Sequence, residues 1–188
     1  MTDENQDPDT NDDEDKAAGF VINGFPQYLQ KEERDNWGWI TVAVMVGNYY
    51  KSGPIENPAN LMWRQSALAI KVCNGQDVSG NPDSSLNAVF CANLASTNDM
   101  NAQNFTALRT AIRQEKPVVV AWVNNRTKQA VPGYVVACYG FGGGNWYYCN
   151  PSKTSITIAS TFPTPPPPQR AGCSLTMFYS KTPSMGRR

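Results

Sequence analysis

The chain, 188 residues long, contains no histidine. That absence removes imidazole, the side chain whose proton exchange is centred near neutral pH, both as a general base and as a metal ligand. The five cysteines, Cys73, Cys91, Cys138, Cys149 and Cys173, include no Cys-x-x-Cys pair. The usual zinc sets cannot be assembled from them, and neither a metal nor a cofactor is expected. Their odd number leaves at least one thiol unpaired unless chains cross-link, so buried free thiols and one or two disulfides both stay open. No stretch approaches the roughly eighteen apolar residues of a membrane span, and the acidic start lacks the apolar stretch of a signal peptide. A membrane role is not expected. Cytoplasmic residence is the default, although specialised secretion or packaging into a particle would leave no mark in such a sequence.

Charge is present but unevenly placed. The whole chain carries sixteen acids and sixteen bases, and the first sixteen residues, MTDENQDPDTNDDEDK, hold eight of those acids and one base, Lys16. Residues 17–188 are therefore moderately basic, with eight acids and fifteen bases. The acidic run has no aliphatic or aromatic residue beyond Met1 and cannot bury enough apolar surface to offset its ordering entropy. It reads as a disordered tail over 1–18, a solubiliser or an arm for a basic partner. The rest supports one domain over 19–181, with a short tail over 182–188. Lys and Arg are scattered singly except in the final GRR, which argues for a solvated surface against a nucleic-acid face.

The body changes period half-way along. Asp35 and Asn36 precede WGWITVAVMVGNYY, a run apolar on nearly every side, as in a buried helix. A second helix is expected over ENPANLMWRQSALAIKVC, with Asn57 as cap, Pro58 at the first helical position, and Leu61, Met62, Leu68, Ala69 and Val72 on one face. A loop with a helical turn near residues 86–94 follows, then a third helix in NFTALRTAIRQEK with Phe105, Leu108 and Ile112 as its stripe. From Pro117 the pattern is that of strands: PVVVAWV, YVVACYGF, NWYYC, TSITIA and CSLTMFYS. A hairpin turn at Gly143–Gly144 would set Cys138 opposite Cys149 and Tyr139 opposite Tyr148. The prolines of FPTPPPPQR favour an extended connection. Helices first and antiparallel strands second give an α+β fold.

In that order and spacing, three segments resemble the motifs of compact bacterial papain-like cysteine peptidases. These are relatives of the bacteriocin-leader peptidases and of some secreted plant-pathogen effectors. NWGWITVAVMVGNYY is similar to the segment that carries the nucleophile, LRTAIRQEKPVVVAWVNN to the helix and strand before the second motif, and PGYVVACYGFGGGNWYYCNPS to the segment with the catalytic histidine and its Asn or Asp partner. The likeness spans roughly residues 27–181. It implies a papain-like fold in which a buried central helix of the helical half packs on an antiparallel sheet half. By the same likeness Gly38 stands at the nucleophile position, Tyr134 at the base position and Asn150 at the third. Gln30 could correspond to the oxyanion-hole glutamine, although it lies somewhat far upstream, and Gln27 lies farther still.

Chemistry then separates the likeness in fold from likeness in activity. A thiolate mechanism needs a cysteine and a base that holds its proton near neutral pH. A tyrosine, with a pKa near 10, is a poor base there. Losing one triad member typically costs on the order of a thousandfold or more in rate, and here two are replaced. Cys138, four residues beyond Tyr134, reads as core, and no Ser-x-x-Lys or Gly-x-Ser-x-Gly spacing offers a substitute nucleophile. The acids Glu32, Glu33, Asp35 and Glu56 show no pairing by spacing. The expected function is a non-catalytic pseudopeptidase that binds a protein or an extended peptide, with Trp37, Trp39, Tyr134 and Trp146 as candidate lining of a groove. The alternatives are an architectural subunit of a larger assembly that uses its outer surface, and a hydrolase of non-standard mechanism in the same cleft.

Overall fold

A computed structural model describes residues 19–52, 63–89, 96–97, 102–153 and 156–180. The acidic run over 1–18, the expected cap at Asn57 and Pro58 with Leu61 and Met62, Cys91, and the tail from 182 lie outside the described residues.

The helices are α1 (Gly38–Tyr49), α2 (Gln65–Cys73), α3 (Pro82–Ala88), α4 (Ala102–Arg113) and the single turn α5 (Pro167–Arg170). The strands are β1 (Phe20–Val21), β2 (Ser96–Thr97), β3 (Val118–Asn124), β4 (Ala130–Gly142), β5 (Asn145–Cys149), β6 (Ile156–Ala159) and β7 (Cys173–Tyr179). They form one antiparallel sheet in the order β2-β7-β3-β4-β5-β6, with β1 added beside β4. The α+β expectation holds, and the layers lie as that reading requires: α1 packs on β4, and α2 and α3 pack on α1.

The sequence of α1 explains its place. Every residue from Gly38 to Asn48 is buried, because no face of the helix offers solvent a polar stripe. Burial of Ile40, Val42, Val44, Met45 and Val46 is complete, each worth roughly 1.5–3 kcal/mol relative to exposure. The one large polar side chain inside, Asn48, donates from Nδ2 to the Trp63 carbonyl and accepts from the Trp63 N–H. That exchange corrects the second helix. Trp63 has both backbone groups committed to Asn48, and Arg64 is extended (φ −103°, ψ 145°), so α2 begins at Gln65 and the expected helix does not run unbroken through Trp63 and Arg64. Leu68 and Ala69 are still its buried face, with Val72 packed partly against the core.

The loop after α2 contains α3, more regular than the single turn expected there. Asn81 caps it by accepting from the Asp83 N–H at 3.0 Å, with Pro82 at the first position. Asn-Pro-Asp was the signal available for this helix. The hairpin of β4 and β5 turns at Gly143 and Gly144, both with positive φ (56° and 76°), as a two-residue turn matching strand twist demands. Its register differs from the expected one. Gly142, Phe141 and Gly140 face Asn145, Trp146 and Tyr147, then Tyr139 is bulged out, so that Cys138 faces Tyr148 and Ala137 faces Cys149. The extra residue serves packing on the other side. The Tyr139 carbonyl accepts the Ile22 N–H, and its ring stacks on Phe25 at 5.5 Å. Cys73, Cys138, Cys149 and Cys173 are free thiols; burial pushes the Cys138 thiol up to about 12 and that of Cys149 to about 11.

The proline segment is extended only as far as Pro166 (φ −61°, ψ 157°). Pro167 then opens α5, whose Gln169 and Arg170 N–H groups donate to the Pro166 carbonyl. Proline at the first helical position loses no hydrogen bond. Among the described residues no helix is long and apolar enough to cross a membrane.

Candidate functional site

The head of α1 is held from three directions. The segment over 75–80 runs along it: Arg34 Nη1 donates to the Gly75 carbonyl, Trp37 Nε1 to that of Gln76 at 2.9 Å, and Trp39 Nε1 to that of Val78 at 3.0 Å. From α3, Ser85 Oγ donates to the Trp39 carbonyl at 2.8 Å. From α2, the buried Gln65 ties down the preceding loop. Its Oε1 accepts the Glu33 N–H (2.9 Å) and the Thr41 hydroxyl (2.8 Å), and its Nε2 donates to the Lys31 carbonyl (2.8 Å) and Gln30 Oε1 (3.2 Å). Both polar ends of the amide are thereby used, which is the condition for burying it.

Gly38 opens the helix. A β-carbon there would sit 3.7 Å from Cβ of Val135, the residue after Tyr134 in β4. Asn150, directly after β5, donates from Nδ2 to the Gly133 carbonyl at 3.1 Å and accepts the Ser152 N–H at 3.0 Å. Gly133 needs its glycine, since its φ of 79° is left-handed. Gly38 thus lies against β4 at Val135, and Asn150 is bonded to the same strand two residues earlier, at Gly133. The β4 side chain against Gly38 is Val135, and Asn150 bonds backbone.

The side chain that reaches Gly38 is one that sequence reasoning set aside. Glu32 Oε2 lies 3.2 Å from where the β-carbon of residue 38 would be. It is closed off from solvent and no described group donates to it at full hydrogen-bonding distance; the Ser152 hydroxyl, likewise buried, is near enough to favour its charged form. The backbone of Glu32 is fixed, its N–H donating to the Pro151 carbonyl at 3.0 Å. Burial pushes the Glu32 carboxyl above its ordinary value, and Asp35 and Asp77 add to the rise while Ser152 and Lys31 work against it. Gln30, the candidate for the oxyanion position, accepts from Gln65 Nε2 at its side-chain oxygen.

Three of the four aromatic candidates are buried. Trp37 and Trp39 are each 3% exposed and Trp146 is 5% exposed, too little to line a groove. Their faces are used internally, Trp146 between Phe105 and Phe162 at 5.3 and 5.6 Å. Tyr134 is half-buried. Among the described residues no three Cys, Asp or Glu side chains converge as a metal would require.

Compared with curated proteins, the chain has no significant match. A family model described as papain-like cysteine protease AvrRpt2 matches residues 23–162, a span that takes in the loop before α1, the whole of α1 and the β4–β5 hairpin, and the chain belongs to that family.

Proposed function

We propose that this chain is a non-catalytic member of its family, a pseudopeptidase that acts by binding protein. The observation that carries the reading is the occupancy of the space beside Gly38. In a chain without histidine, the group projecting where a nucleophile's side chain would begin is the Glu32 carboxyl. A carboxyl group at that distance takes the room that a nucleophile's side chain would need, whatever its charge, and denies a thiolate the cationic neighbour that nucleophilic catalysis needs. The burial of Trp37, Trp39 and Trp146 favours binding through the outer surface, as in an architectural subunit, over an aromatic-lined cleft.

Purified protein should leave peptide libraries uncut, and a peptidyl thiol-directed inhibitor should form no adduct between residues 30 and 40 by mass mapping. Thiol-dependent cleavage by the unmodified chain would overturn the reading. Gly38→Cys with Tyr134→His should show at most weak alkylation at position 38, and adding Glu32→Ala should raise its rate by clearing the space beside it. For the binding half, cross-links to proteins co-purified from the native source should map to exposed positions away from Gly38.

A further inference from the structure

We propose that Glu32 is a proton-operated plug: protonated, its side chain fills the space beside Gly38; ionised, it swings out to solvent and leaves that space open. The geometry points there first. Oε2 is buried beside Gly38, which itself packs on Val135, with no full hydrogen bond from a described residue and the Ser152 hydroxyl near it, a position that suits a neutral carboxyl and disfavours a carboxylate, which would be largely desolvated. The residue as a whole is only half-buried, so a change of side-chain rotamer suffices to reach water.

The backbone need not follow. Gln65 holds the Lys31 carbonyl and the Glu33 N–H on either side, and Pro151 holds the Glu32 N–H. The moving part is therefore one side chain on a pinned loop. The charged groups around it are Asp35 and Lys31 on the same loop and Asp77 on the segment after α2. The segment after β5 presents the Ser152 hydroxyl. The head of α1 and the start of β4 present Gly38 and Val135, neither of which titrates. Two neighbouring acids against one lysine reinforce what burial does, holding the proton on Glu32 above its ordinary 4.5.

A stability consequence follows with a definite sign. Between the ordinary and the raised value the folded chain binds more protons at this site than the unfolded chain, so stability falls as pH rises through the folded value. Glu32→Gln keeps the shape and removes the titration.

The inference is read without any peptidase assay, so its outcome is independent of whether the chain proves catalytic. The full-length protein, labelled with carbon-13, would be titrated from about pH 4 to 8 by NMR, following the Glu32 carboxyl carbon and the Val135 methyl groups. Both should move together with one midpoint above that of an ordinary glutamate, while the Val120 methyls stay still. In Glu32→Gln the Val135 transition should vanish. An ordinary Glu32 midpoint, Val135 methyls that do not shift, or a Val135 transition that persists in Glu32→Gln would each overturn the proposal, the last by assigning the transition to Asp35 or Asp77.

Discussion

Gln65→Leu should unfold this domain about 10 °C early. The substitution conserves bulk and removes every polar contact of a side chain that is 2% exposed. Leucine leaves the Glu33 N–H and the Lys31 carbonyl, both reached from Gln65 across more than thirty residues of sequence, without their buried partner. The Thr41 hydroxyl suffers less, because it already lies 2.9 Å from the Trp37 carbonyl and can turn its single proton there. Two stranded backbone groups at about 1–3 kcal/mol each give a loss of roughly 2–6 kcal/mol, which at about 2–4 °C per kcal/mol for a domain of this size brackets the shift stated. Calorimetry measures it directly. A variant that melts within a degree or two of the parent would show that water replaces the amide at no cost. The same change releases the loop around Glu32, so its carboxyl should titrate closer to the ordinary value.

Gly80→Ala is the second large effect, and it acts through sterics. A β-carbon at residue 80 would fall within 2.6 Å of Cη2 of Trp39. The ring cannot retreat easily: its N–H is bonded to Val78 and the residue is buried at the head of α1. Residue 80 is tied too, its carbonyl accepting the Ala130 N–H at the start of β4. Overpacking of a fixed site typically costs 1–3 kcal/mol, and with both partners held the upper part of that range is expected, a fall of roughly 5–10 °C. Gly38→Ala, whose nearest contact is the movable end of Glu32, should cost far less. If the clash with Trp39 is the cause, Gly80→Ala should add little on top of Trp39→Leu; additive losses in that double-mutant cycle would place the cause elsewhere.

What the sequence disclosed, it disclosed through period. The all-round apolar run of α1, the β-branched run of β3 and the glycine pair of the hairpin each mark a local preference that tertiary packing leaves intact. What it hid depends on distant partners. The start of α2 is decided by Asn48, fifteen residues away from Trp63, and no cap signal near Asn57 can report that. Trp37 and Trp39 were groove candidates because they flank Gly38; what holds them inside is far off in sequence, the carbonyls of Gln76 and Val78, thirty-nine residues on. Glu32 was the least visible, since an acid among Lys31, Glu33 and Arg34 has the appearance of ordinary surface charge. Only the pinning of that loop by Gln65 and Pro151 turns one of its carboxyls inward.

The bulge at Tyr139 has a bearing on how this hairpin can vary. In an unbroken pair of strands, adding or removing one residue at the tip would reverse the facing of every side chain back to the strand's beginning. Here the pairing beyond Tyr139 already carries an offset of one, and the section from Val135 to Cys138 takes its alignment from β3, where Val118 to Ala121 match Cys138 to Val135 without interruption before the register shifts again towards Ala130. The Asn150 end of the site is thus keyed to the middle of the sheet, while the Gly143–Gly144 tip is carried by the three pairs from Gly140 to Gly142, whose β4 side is aligned by β1. Length changes at the tip can be absorbed at the offset, leaving the neighbourhood of Gly38 where it was.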